Sequence, residues 1–235
     1  MLIESIDQLK YGNISLDDQS YLYADNIFTH QFEKFINKPY PDKHIIFDEI
    51  NDLIKKQEKI LNKENSKTIK DQVKAIDYDM FEVFKEYILS LGIDFKKDYL
   101  AKVGFKLNAL IVQLKNHYNR ARPNQVSYYM NLPLHPMDTF IGNCPSYPSR
   151  QTLVAHFLCK IVSHHNPDKK DDIMDFSAYV SNSREIMGLN YPSDNLFAVQ
   201  IAEFLSEIKE IRQIYFKPIE KNKEVKSDDT NKDTE

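Results

Sequence analysis

Between Lys115 and Asp194 the chain carries cations, a serine and a carboxylate in three short islands. The first is Lys115 with Arg122-Pro123, the second Pro148-Ser149-Arg150-Gln151, and the third Ser183-Arg184 with Gly188, Asn190 and Asp194. Lysine and arginine N–H groups, together with a serine at a helix start, are the donors that hold a tetrahedral oxyanion. Asp194 supplies a carboxylate able to orient a neighbouring side chain. Gln151 and Asn190 can hydrogen-bond, but a carboxamide nitrogen is conjugated with its carbonyl. It is neither a useful nucleophile nor a proton shuttle near neutral pH. The chemistry readable here is anion binding without an evident group for bond cleavage.

The order of the islands resembles the superfamily of type 2 phosphatidic acid phosphatases, class A bacterial acid phosphatases and vanadium haloperoxidases. Its signature is Lys, six residues, Arg-Pro; later Pro-Ser-Gly-His; later Ser-Arg, five residues, His, three residues, Asp. Lys115 and Arg122-Pro123 match the first part, Pro148-Ser149 begin the second, and Ser183-Arg184 with Asp194 frame the third. Arg150 stands at the Gly position, Gln151 at the position of the proton-donating His, and Asn190 at that of the nucleophilic His. The resemblance implies an all-α helical domain with its phosphate site at helix ends. It implies phosphate binding by Lys115, Arg122, Ser149 and Arg184, with Asp194 orienting residue 190; Arg150, a departure from the pattern, adds a further phosphate-directed cation if it points inward. With Gln151 and Asn190 in the two catalytic positions, the expected protein is a pseudoenzyme binding phosphate or a small phosphomonoester with little or no hydrolysis. A hydrolase using an unconventional nucleophile and a structural protein on a relic scaffold are the rival readings. Vanadate anchoring, which in the haloperoxidases uses the position of Asn190, is a weaker branch. No cofactor or metal is implied.

Other histidines have separate readings. His117 is structural, and His156 lies two helical turns beyond Ser149, roughly 10 Å along the axis. His135, in a proline-rich stretch, is the open candidate for a replacement nucleophile. Clustered cations with Asp194 as the main counter-charge are costly to bury empty, so a bound anion is the natural compensation.

The elements that must position these groups follow from apolar spacing. Ile50, Leu53, Ile54, Gln57, Ile60 and Leu61 mark a helix, and residues 63–70 read as a solvated connection. Tyr78, Phe81, Phe84, Tyr87, Ile88 and Leu91 mark a second helix, with Gly92 as its C-cap. A third runs from about Lys96 to Tyr118 and delivers Lys115 to its end, since Pro123 disfavours helix at Arg122. The proline-rich residues 123–148 read as an ordered loop. Ser149 caps a helix ending at His164-His165, Asp168–Ile186 carry Arg184 inward, and a last helix runs from Pro192 through Ile211. Tyr21, Tyr23, Phe28, Phe32 and Phe35 read as core packing.

A chain of 235 residues with 42% apolar and 28% charged residues suits one helical domain, here residues 1–218, followed by a disordered charged tail at 219–235. A formal charge of −4 gives no bulk reason to bind nucleic acid or an acidic membrane surface. Acids near the N-terminus, no membrane-length apolar run, and only Cys144 and Cys159 point to a cytoplasmic protein with two buried free thiols.

Overall fold

The structure is a computed structural model that describes residues 3–38 and 40–217; the expected tail lies outside the described residues. Among the described residues nine α-helices follow one another: α1 (Leu16–Gln19), α2 (Lys43–Leu61), α3 (Ser66–Ser90), α4 (Lys97–Tyr118), α5 (Pro123–Tyr129), α6 (Arg150–His165), α7 (Lys170–Ile186), α8 (Pro192–Glu207) and α9 (Lys209–Tyr215). Short 3₁₀ turns connect several of them, and no strand is present among the described residues. The all-α class expected from the sequence is observed.

Helix α6 is the axis of the molecule. Its run from Leu153 to Val162 is apolar on nearly all sides, a pattern that demands burial all round. It packs on α7, α8 and α4, with Leu153, Phe157, Leu158, Cys159 and Ile161 wholly buried. The core continues through Leu107, Leu110, Ile111 and Leu114 of α4 and Phe84 and Ile88 of α3. A second cluster joins Ile46, Ile50 and Leu53 of α2 to Val126 of α5 and Tyr191. The site-bearing segments lie where these clusters meet.

Several boundaries differ from the sequence reading. Residues 66–70 begin α3 rather than a solvated loop. Pro123 opens α5 because proline is suited to the first helical position, so residues 123–129 are helical, not loop. The last helix breaks at Ile208, which is extended (ψ 123°), before α9 resumes. Tyr23 and Tyr78 are exposed rather than core. Helix α3 itself departs from helical geometry at Asp79 (φ −147°, ψ 84°).

Candidate functional site

Lys115 occupies the last turn of α4. The helix stops at Asn119, in the left-handed region (φ 49°), which asparagine tolerates better than most residues. The Asn119 side chain is tied to Gly12 in both directions, and Arg120 forms an isolated antiparallel bridge with Lys10. The chain thus turns sharply enough that Arg122, extended before Pro123, faces the end of α4. Arg184 ends α7. The turn that follows needs Gly188 at φ +68°, where an added Cβ would also lie 2.9 Å from Gln57 Nε2. That turn brings Asn190 and Asp194 back to the same place.

All five residues are buried, Lys115 at 1% exposure. Lys115 Nζ donates to the carbonyls of Pro145 and Ser146, the latter at 3.2 Å. Arg122 donates Nε to Cys144 O (2.7 Å), one Nη1 hydrogen to Leu189 O (2.7 Å), and Nη2 to Cys144 Sγ (3.4 Å). Arg184 Nη1 donates to Asp77 Oδ1 at 2.6 Å. Asn190 Nδ2 donates to Ser146 O (2.8 Å) and to Asp194 Oδ2 (3.0 Å). The first and third islands therefore converge on the segment Cys144-Pro145-Ser146, whose carbonyls accept from Arg122, Lys115 and Asn190.

Two phosphate-directed expectations need correction. Ser149 does not cap α6 with its side chain; Oγ donates to Thr152 Oγ1 (2.9 Å), which in turn donates to Asn195 Oδ1 (2.7 Å). Ser149 N is used by the carbonyl of Asp194 (3.1 Å). Arg150 turns away from the cluster centre to form a forked pair with Asp18 of α1, at 2.9 and 2.8 Å. Gln151 also faces away, donating Nε2 to Ile76 O at 3.2 Å.

The sequence reading missed the groups that balance these cations. Asp77 accepts from Arg184, Thr139 Oγ1 (2.9 Å) and Phe140 N (2.7 Å). Arg120, wholly buried, donates to Asp194 Oδ1 (2.6 Å) and Glu49 Oε2 (3.2 Å), with the Tyr191 ring 3.8 Å from its guanidinium carbon. Asp194 is therefore divided between Asn190 and Arg120, a cation within the first island to which the sequence reading gave no role. Cys144 is the other omission. Burial pushes its thiol up, but Lys115, Arg122 and Arg150 outweigh that and bring it down to about 7. Burial likewise lowers the Lys115 ammonium to about 7, with Cys144 opposing. Nothing in the local sequence marks either Asp77 or Cys144; only the fold brings them here.

No histidine joins the cluster. His135 is exposed, and its backbone is held by Gln57 in both directions. His156 is bound by Ser177 Oγ (2.9 Å) and Glu203 Oε1 (2.7 Å) on the α7–α8 side. That serine–histidine–carboxylate row resembles a catalytic relay, but Ser177 itself is buried between helices rather than presented to solvent. His117 packs edge-on against Phe32 and Tyr118. Among the described residues, no group of three or more His, Cys, Asp or Glu side chains is arranged to hold a metal ion. Both cysteines are free and buried, and no helix among the described residues is long and apolar enough to cross a membrane. Comparison with models of known protein families and with curated proteins gives no match.

Proposed function

We propose that this protein is an oxyanion-binding helical domain of the acid phosphatase and haloperoxidase type, holding phosphate or a small phosphomonoester with little or no hydrolysis. The observation that carries the reading is that Lys115 and Arg122 are buried without a carboxylate partner among the described residues. Carbonyl dipoles solvate such charges only in part, and an anion would complete the balance. Arg184 adds Nε and Nη2, which have no protein partner among the described residues. The first turn of α6 adds N–H groups that no side chain caps. A cavity of about 450 Å³ bordered by Arg122, Leu189, Gly142 and Asn143 gives an approach. Gln151 and Asn190 leave the site without an acid or nucleophile of the expected type. The two free cysteines fit a cytoplasmic setting.

The test is thermal unfolding in phosphate and in chloride at matched ionic strength. At about 100 times its dissociation constant, phosphate should add roughly 2.7 kcal/mol, several degrees for a chain of this size. Arg122→Ala should abolish the shift, whereas Arg212→Ala on α9 should not. Turnover of a chromogenic phosphomonoester should stay at background from about pH 4 to 9. Clear multiple turnovers abolished by Arg184→Ala would reject the non-hydrolytic part.

One observation favours a second reading. Cys144 Sγ lies 3.4 Å from Arg122 Nη2, and its thiolate would balance Lys115 and Arg122 from within. The cluster would then be a purely structural charge network. Equal stabilisation by phosphate and chloride would select this reading over the first.

A further inference from the structure

The break in α3 at Asp79 opens a cavity of about 400 Å³ between α3, α4 and α6. Asp79 restarts the helix by accepting Glu82 N (3.1 Å) while pairing with Lys97 at 2.7 Å. The residues on either side, Tyr78 and Met80, consequently diverge, one to solvent and one to the core. Met80, Phe81, Val154 and Ile141 give the cavity an apolar lining. Gly104 lets the Phe81 ring lie against α4, since a Cβ there would approach Phe81 Cζ to 2.7 Å. At the rim stand Tyr78 and Phe105, 75% and 64% exposed, with Phe140 edge-on to Tyr78 at 5.4 Å. Exposed aromatic rings gathered at one opening are uncommon on a monomer without a binding role.

The polar side is equally distinctive. Asn108 Oδ1, Gln151 Oε1 and Arg150 Nε are buried without a hydrogen-bond partner, and all three residues border this cavity. Such orphaned groups carry a free-energy cost unless a ligand or solvent satisfies them. The formal charges nearby are already matched: Asp77 by Arg184, Asp79 by Lys97 and Arg150 by Asp18. A charged guest would find no free counter-charge among the residues that line the cavity. The volume falls within the usual range of small-molecule sites.

We propose that this cavity binds a small neutral aromatic molecule of one or two rings that carries an N–H or O–H donor. The rings lie among Tyr78, Phe81 and Phe105, and small side-chain rotations turn the Gln151 or Asn108 carbonyl to the donor. The site takes no anion, so it goes beyond the oxyanion reading and does not depend on it.

The test is calorimetric titration of the full chain with indole, with 1-methylindole, which lacks the donor, as the comparator. Indole should bind saturably at one site, and 1-methylindole at least five-fold more weakly. Ala101→Leu, which fills the cavity from α4, should weaken indole at least ten-fold. Phe105→Ser, at a rim position 64% exposed, should weaken it several-fold, while Arg122→Ala should leave it unchanged. No saturable binding of indole, or binding undiminished in Phe105→Ser and in any folded Ala101→Leu protein, overturns the proposal. Equal affinity for indole and 1-methylindole overturns the assigned hydrogen bond.

Discussion

Asp194→Ala is expected to cost about 3–5 kcal/mol of stability, the usual range when one partner of a buried ion pair is removed. For a chain of this length that corresponds to a fall in Tm of roughly 10 °C or more. Asp194 is fully buried and accepts from Arg120 Nη1, Asn190 Nδ2 and Tyr191 N at 2.6, 3.0 and 2.9 Å. Removing it strands the Arg120 guanidinium, whose charge burial disfavours and Asp194, above its other neighbours, favours. Glu49, at 3.2 Å, is then its one carboxylate partner among the described residues, beside the neutral Ser193 Oγ at 2.8 Å. Asp194→Asn should cost nearly as much, because a carboxamide presents a donor group to a site already crowded with donors. The double variant Arg120→Met/Asp194→Leu should be far less destabilised than the sum of the single changes, since neither charge is left alone. Urea unfolding of these variants without phosphate measures the effect. A loss below about 1 kcal/mol for Asp194→Ala would mean that Glu49 suffices for Arg120.

Helix α4, the apolar run of α6 and the placement of Lys115, Arg122, Arg184, Asn190 and Asp194 at helix ends were legible because each rests on local signals. Apolar spacing, Pro123, Pro192 and Gly188 act within a few residues of where they stand. What balances the cations was not legible. Asp77 sits in Asp71-Gln-Val-Lys-Ala-Ile-Asp77-Tyr-Asp79, where three acids look alike and only tertiary packing buries one of them against Arg184. Asp18 lies 132 residues before Arg150, and Glu49 lies 71 before Arg120. The break at Asp79 has no proline or glycine to announce it; a charge-capped restart and Lys97 produce it. Ser149 stands at the N-cap of α6 as its position suggests, but its side chain donates to Thr152 Oγ1 and accepts from no N–H of the first turn, a rotamer set by tertiary packing. The proline-rich stretch misled in the opposite way: prolines read as loop markers, yet Pro123 is a helix opener.

Between pH 7 and 9 the phosphate-free protein is expected to become more stable, on the order of 2 kcal/mol, by linkage to Lys115 and Cys144. In the unfolded chain Lys115 keeps its proton to about 10.4, whereas burial lowers the folded value to about 7. Over that window the unfolded state binds more protons, so stability rises with pH. Cys144 acts in the same sense, because the surrounding cations favour its thiolate despite burial and bring it from 9.0 to about 7. Lys115→Met should therefore raise stability at pH 7 by removing a buried ammonium. It should also flatten the rise, since Cys144 then loses its largest lowering partner. Saturating phosphate should flatten the wild-type rise as well, because an anion at the cluster holds Lys115 protonated in the folded state. Chemical unfolding at closely spaced pH values, with and without phosphate, follows all three effects. A stability that is constant or falling from pH 7 to 9, or a rise undiminished in Lys115→Met, would remove Lys115 as the buried charge that the rest of the cluster answers.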